Sequence, residues 1–139
     1  MGKGIEKKRI ENLTLLTKKK VKYPSSPEEA PLETFSNSFP ERDYWIEFNC
    51  PEFTSLCPVT GQPDFGKIII QYIPDKKCIE SKSLKFFLFS FRNYGSFAED
   101  IVNIILNKVV NSCKPRKVKI IGEFFPRGGI SIKVEANYP

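Results

Sequence analysis

Four segments in which apolar side chains alternate with polar ones come as two pairs, and the stretch between the pairs repeats with the period of a helix. That arrangement leaves few folds open. From Asp43 to Phe53, Tyr44, Ile46, Phe48 and Cys50 alternate with Trp45, Glu47 and Asn49, the period of a half-buried strand. Phe65–Ile73 is a second strand, rich in Ile and closed by Pro74-Asp75, and the Pro- and Gly-containing stretch Thr54–Asp64 reads as the loop between them. Ser83–Phe91 places Leu84, Phe87, Leu88 and Phe91 on one helical face, and Arg92–Gly95 interrupts it. Ser96-Phe97-Ala98-Glu99 has the S-x-x-E form of a capping box and opens a second helix through Ile101, Ile104, Ile105 and Val109 to about Ser112. Lys117–Phe125 and Gly129–Ala136 then alternate as two strands around the turn Pro126-Arg127-Gly128.

The order strand, strand, helix, helix, strand, strand predicts an α+β domain, a four-stranded antiparallel sheet with both helices on one face. The other face and the two sheet edges then need cover, which points to assembly with further copies. The length of 139 residues suits one such domain. It is expected over residues 42–139, preceded by an extension over 1–41 that is basic at first and then extended, with Pro24, Pro27, Pro31 and Pro40 wrapping it over the surface.

Charge and composition remove whole classes of function. The net charge is +6, but residues 1–22 hold eight Lys and Arg against two acids, which leaves the remainder balanced at 14 of each sign. A neutral body with a basic arm gives no reason to expect direct nucleic-acid binding. The chain has no His, which excludes a Ser-His-Asp triad, a Cys-His dyad and imidazole metal ligation, and no metal is expected. Without an apolar run of about 18 residues or a signal-peptide core, the expected location is the cytoplasm, with no membrane partner. Gly2 does not make a myristoylation site, because Glu6 stands where that motif has Ser or Thr. In a reducing compartment Cys50, Cys57, Cys78 and Cys113 are expected as free thiols, and no C-x-x-C pair is present.

Chemistry concentrates in three places. Cys57 and Asp64 stand at the two ends of a segment bent by Pro58, Gly61 and Pro63, so a soft nucleophile and a proton donor can converge on one pocket. The alternative is a tight loop with a packed Cys and a turn-forming Asp. Glu80-Ser81-Lys82-Ser83-Leu84-Lys85 lies where a loop enters a helix, a place suited to phosphate or simply a capped helix start with solvated lysines. Neither G-x-G-x-x-G after a strand nor G-x-x-x-x-G-K-[ST] is present. Glu99 either closes the capping box or, pocketed near Phe97, accepts paired N–H donors from a purine-like base. Arg127-Gly128-Gly129 reads as a hairpin turn.

Taken together, these segments resemble the NADPH-dependent 7-cyano-7-deazaguanine reductases, the nitrile reductases of queuosine biosynthesis in tRNA modification. The resemblance runs from about residue 12 to the C-terminus. It is carried by Arg42-Asp43-Tyr44, by Cys50-Pro51-Glu52-Phe53-Thr54-Ser55-Leu56-Cys57-Pro58, and by Thr60-Gly61-Gln62-Pro63-Asp64-Phe65. It continues in Glu80–Lys85, Phe89–Asn93, Glu99-Asp100 and Pro126–Ser131. It implies the tunnelling fold and homo-oligomeric rings, commonly pentamers stacked as decamers, with active sites at subunit interfaces. Cys57 then matches the nucleophile that forms a thioimide with the nitrile, and Asp64 the proton donor. Ile79, Glu80 and Ser81, with Ala98 and Glu99, match the substrate-binding positions. Lys82, Ser83 and Lys85 match the segment associated with NADPH, the co-substrate. Two departures are specific: Ala98 stands where relatives have His, and Ile101 where some carry a Cys able to pair with the nucleophile. Two other readings stand beside this one. The first is the non-reducing archaeal relative that transfers an amidine nitrogen on tRNA, and the second is an RNA-binding module using the basic arm.

Overall fold

The alternating segments become strands, and two of them run further than their patterns announce. In the computed structural model, which describes residues 23–139, the elements in chain order are β1 (Thr34–Ser36), β2 (Ile46–Leu56), β3 (Pro63–Ile73), β4 (Lys77–Ile79), α1 (Ser81–Phe89), α2 (Ala98–Cys113), β5 (Lys117–Arg127) and β6 (Ile130–Tyr138). The basic arm over 1–22 lies outside the described residues. The expected loop Thr54–Asp64 is corrected to the six residues 57–62, because strand pairing continues through Ser55↔Asp64 and Leu56↔Pro63. Prolines do not end these strands, for a local reason. Between Cys50↔Ile68 and Phe53↔Gly66, β2 carries one extra residue, a bulge that takes Pro51 where no ladder N–H is required. A second bulge between Phe124↔Ile132 and Arg127↔Ile130 takes Pro126 in the same way. The hairpin turn is therefore Gly128-Gly129, with φ of 58° and 81°, and Arg127 ends the strand instead of making the turn.

The main sheet has the order β2-β3-β5-β6 and is antiparallel throughout. One face carries Phe53, Ile68, Ile70, Tyr72, Ile120 and Phe124 against Leu84 and Phe87 of α1 and Ile101, Val102, Ile105 and Val109 of α2. The α+β architecture and the placement of both helices agree with the sequence pattern. Three boundaries do not. The first strand starts at Ile46 and not Asp43. α1 stops at Phe89, with Ser90 as its C-cap, so Phe91 enters the core from the following turn. The expected capping box is absent: α2 begins at Ala98 behind Phe97, which makes no side-chain cap bond. Ser96 is instead buried and its N–H donates to the Leu56 carbonyl (3.1 Å), so the linker is tied to the end of β2 before the helix starts.

Residues 30–37 do more than lie on the surface. Ala30 and Leu32 are buried in the core, and β1 pairs antiparallel with β4 in a two-stranded sheet that no sequence pattern announced. This segment fixes the entry to α1: the Glu80 N–H donates to the Glu33 carbonyl (2.9 Å), and the Glu33 N–H donates to Ser83 Oγ (2.9 Å). Further along, Arg116 holds Asp43 (2.7 Å), Asp75 (3.2 Å) and the carbonyls of Pro40 and Arg42. Among the described residues, β2 and β6 are open edges and no helix is long and apolar enough to cross a membrane.

Candidate active site

A six-residue turn at the end of the β2–β3 hairpin sets the position of Cys57. Its N–H donates to the Gln62 carbonyl (2.8 Å), and its carbonyl accepts the Gly61 N–H (3.0 Å). The linker before α2 locks this turn from the side, because Leu56 bridges to Gly95 and a Cβ on Gly95 would stand 3.2 Å from Pro58 Cα. A side chain there would press on Pro58, so glycine suits the close approach.

The Cys57 thiol is lowered to about 7 by hydrogen bonds from the Thr60 side chain first, then from the Thr60 and Val59 backbone, with Arg127 adding a further one. Burial pushes Cys50 up, and burial first, with Cys78 beside it, pushes Cys113 up to about 12. Cys57 thus has the thiolate character of a nucleophile at neutral pH. Iodoacetamide should label Cys57 ahead of Cys50 and Cys113, with a rate that is half-maximal near pH 7. Thr60→Val should slow labelling at pH 7 roughly 3–5-fold by removing the largest of the several contributions that lower the thiol; mass mapping of the labelled sites checks both.

Arg127 joins the parts of this site. Its Nη1 lies 3.0 Å from Asp64 Oδ1, its Nη2 donates to Gln62 Oε1 (2.5 Å), and its guanidinium adds the smallest of the effects that lower the Cys57 thiol. The sequence alone places Arg127 in a hairpin turn. The signal that would have found it is its place in the Pro126–Ser131 segment shared with the resembling family. A cavity of about 370 Å³ opens beside these groups, lined among others by Cys57, Asp64, Ala98, Glu99, Phe124 and Arg127. Glu99 sits in the first turn of α2, exposed and with no capping bond, so its carboxylate is free for a ligand among the described residues.

The other expected residues lie elsewhere in the chain. The Ile79 side chain is in the core and its N–H donates to Tyr72 Oη (2.8 Å). Glu80 is the N-cap of α1, its carboxylate accepting the N–H groups of Ser83 (2.6 Å) and Lys82 (2.9 Å), which hold it below the usual carboxylate range. The helix start is thus already capped, and those two N–H groups are not open to a phosphate. Ser83 Oγ is likewise committed, donating to the Glu80 carbonyl and accepting from Glu33. Glu80 and Lys82 border a cavity of about 510 Å³, whereas Ser81 and Lys85 border a groove of about 530 Å³ with Leu88, Phe89 and Arg92. None of Ile79–Lys85 lines the Cys57 cavity.

An activated thiol set against a carboxylic acid at the end of a four-stranded antiparallel sheet, with two helices on one face, defines a thiol-bearing protein of the tunnelling-fold class. The family described as QueF-like protein matches residues 63–139, and the chain belongs to it. A relative from Bacillus cytotoxicus, named NADPH-dependent 7-cyano-7-deazaguanine reductase, is 54% identical over 129 residues, covering 93% of this chain and 78% of the relative. Proteins of the same name are similar too. That of Staphylococcus haemolyticus is 51% identical over 99% of this chain and 83% of its own length. That of Bacteroides thetaiotaomicron is 62% identical over 77% of this chain and 71% of its own length. The crystal structure of the archaeosine synthase QueF-Like in the apo form superimposes with a TM-score of 0.63 at 22% identity, covering 67% of this chain and 91% of that one, a likeness of fold.

Proposed function

We propose that this chain reduces the nitrile of 7-cyano-7-deazaguanine to the 7-aminomethyl group with NADPH, in queuosine biosynthesis. The observation that carries the reading is the Cys57 thiolate beside Asp64, in a chain whose relatives bear the reductase name. A nitrile carbon is a poor hydride acceptor until sulfur adds to it and its nitrogen is protonated. Cys57 Sγ forms the C–S bond as one C–N π bond breaks, and the nitrogen takes the proton from Asp64, giving a thioimide. NADPH supplies hydride when bound, and two equivalents, together with a second proton taken from solvent, carry the nitrile to the amine and leave two NADP⁺. Between the two reductions the C–S bond breaks. Cys57 leaves as a thiolate, steadied by the same Thr60, Val59 and Arg127 groups that lower its affinity for a proton.

The residues present fit the two ligands. Glu99, free at the cavity mouth, suits paired N–H donors of a deazaguanine ring. The exposed cations Lys82 and Lys85, with Arg92 and the apolar wall of Leu88 and Phe89, suit the phosphates and rings of a dinucleotide. Ile79, Glu80 and Ser81 complete the substrate side in this reading, with Ser83 fixing the segment through its two hydrogen bonds. That segment lies away from Cys57 in one chain, which supports a site closed by a second copy. Open β2 and β6 edges and exposed Phe97, Phe125, Ile130 and Ile132 support a homo-oligomer, a decamer of two pentamers. NADPH and free thiols both suit a reducing compartment, which supports the cytoplasm.

Ala98 opens α2 at the cavity wall, at the position where the resemblance implies His. Ala98→His should lower KM for the nitrile about 2–10-fold by restoring one hydrogen bond, as measured by NADPH oxidation. The direct test of the whole reading is intact-mass analysis after incubation with 7-cyano-7-deazaguanine. A Cys57-dependent adduct that disappears on adding NADPH, with NADPH oxidised, is expected. Absence of both adduct and oxidation would sink the reading, and an adduct that NADPH leaves untouched would point to a non-reducing enzyme.

A further inference from the structure

Arg127 holds the Asp64 carboxylate in an ion pair (3.0 Å), so Asp64 must leave it before passing a proton to a ligand, and something must then hold it. Ser55 is placed for that. Its register partner on β3 is Asp64, so the two stand directly opposite each other across the hairpin, with Cβ atoms about 5 Å apart as such pairs are. The same face carries Cys57, because the Cys57 N–H bond to Gln62 extends the pairing beyond Leu56 and side chains two residues apart share a face. Ser55 is 1% exposed and lines the same cavity as Cys57, Asp64 and Glu99. Among the described residues its Oγ is also the buried side-chain polar atom left without any hydrogen-bond partner.

A buried hydroxyl with no partner costs stability, and an alanine would fill nearly the same space without that cost. On its other side Asp64 has a partner, Arg127, whose side chain is 40% exposed and is shared with Gln62. The carboxyl group thus has an occupied ionic partner on the open side and an unoccupied neutral one beneath it.

We propose that Ser55 is a positioning residue for Asp64: when the Arg127 pair opens, the Asp64 carboxyl turns onto the Ser55 hydroxyl, which holds it toward the nitrogen of the ligand on Cys57. No bond other than a hydrogen bond changes in this turn; once off Arg127, the Asp64 carboxylate takes a proton from solvent and passes that proton to the nitrogen. The proposal rests on the reductase reading above and adds to it a role for Ser55, a residue to which the resemblance assigns none.

The test compares wild type, S55A, S55T, D64N and the double variant S55A/D64N, each as the full chain, for NADPH oxidation with 7-cyano-7-deazaguanine. S55A should lower kcat about 10-fold with KM for both substrates within about 2-fold, and S55T, which keeps the hydroxyl, should recover most of it. S55A/D64N should be no slower than D64N, because Ser55 acts through Asp64. S55A should melt at the wild-type temperature or above, since it removes an unpaired buried hydroxyl. A wild-type kcat in S55A, a loss confined to KM, a further fall on the D64N background, or a lowered melting temperature would each overturn the role of Ser55. If the wild type oxidises no NADPH, the reductase reading itself fails, and this proposal with it.

Discussion

Cys57→Ala is expected to abolish both covalent capture of the nitrile and NADPH oxidation, with turnover lower by about 10³-fold or more. The size of the effect follows from the lack of a substitute. Cys50 lines the groove between β2 and α1 and not the Cys57 cavity, and burial pushes its thiol up; Cys113 is buried and pushed up to about 12. Cys57→Ser should be nearly as inactive. A serine hydroxyl needs a base to take its proton, and this chain has no histidine to serve as one. The thiolate of Cys57 needs no such base, because the hydrogen bonds around it already favour the charged form. Intact-mass analysis and NADPH absorbance check both variants. A Ser variant retaining even a few per cent of turnover would contradict a mechanism in which the thiolate is the nucleophile.

Phe91→Ala should be the most damaging single truncation in the core, lowering stability by about 3–5 kcal/mol. Phe91 is fully buried, with ring centroids 5.4 Å from Phe53, 5.5 Å from Phe87 and 6.0 Å from Tyr94, so its removal leaves a hole among three aromatic side chains. The consequence extends to the site. Tyr94 N–H donates to the Phe91 carbonyl (2.9 Å), and the Tyr94 carbonyl accepts the Leu56 N–H one residue before Cys57. The linker that braces the Cys57 turn thus hangs on this ring. The melting temperature should fall by roughly 10–20 °C, read by circular dichroism. A drop of less than a few degrees would mean that the linker is held by something other than this packing.

The strand and helix order was legible because each segment faces one core, and period two and period 3.6 are enforced by that burial. What the pattern concealed were the places where backbone hydrogen bonds, not burial, decide. Pro51 and Pro126 look like terminators, yet each sits in a bulge, so β2 and β5 run on to bring Cys57 and Arg127 to the same end of the sheet. Ser96 has the residue type of a cap but spends its N–H on Leu56, which leaves Glu99 without the local partner its spacing suggested. The pairing of β1 with β4 rests on three residues a side, too short for periodicity to register.

The candidate site was legible in part. That Cys57 and Asp64 share one pocket follows from a short bent segment between paired strands, and the structure places both on the cavity. The separation of Glu80–Lys85 from that cavity is a tertiary fact that no local spacing encodes. Nor does local spacing reveal Arg127, whose neighbours Pro126, Gly128 and Gly129 all speak for a turn.

The central claim is that the Cys57 adduct is a stage in reduction and not an end point. It is tested most directly by the stoichiometry of NADPH oxidised against 7-cyano-7-deazaguanine consumed by the wild-type protein. A nitrile carried to a primary amine takes up two hydrides, so the ratio should be two NADPH per nitrile, with the amine as product and no adduct left on the protein. Consumption of the nitrile into a lasting Cys57 adduct, with no NADPH oxidised, would contradict the account.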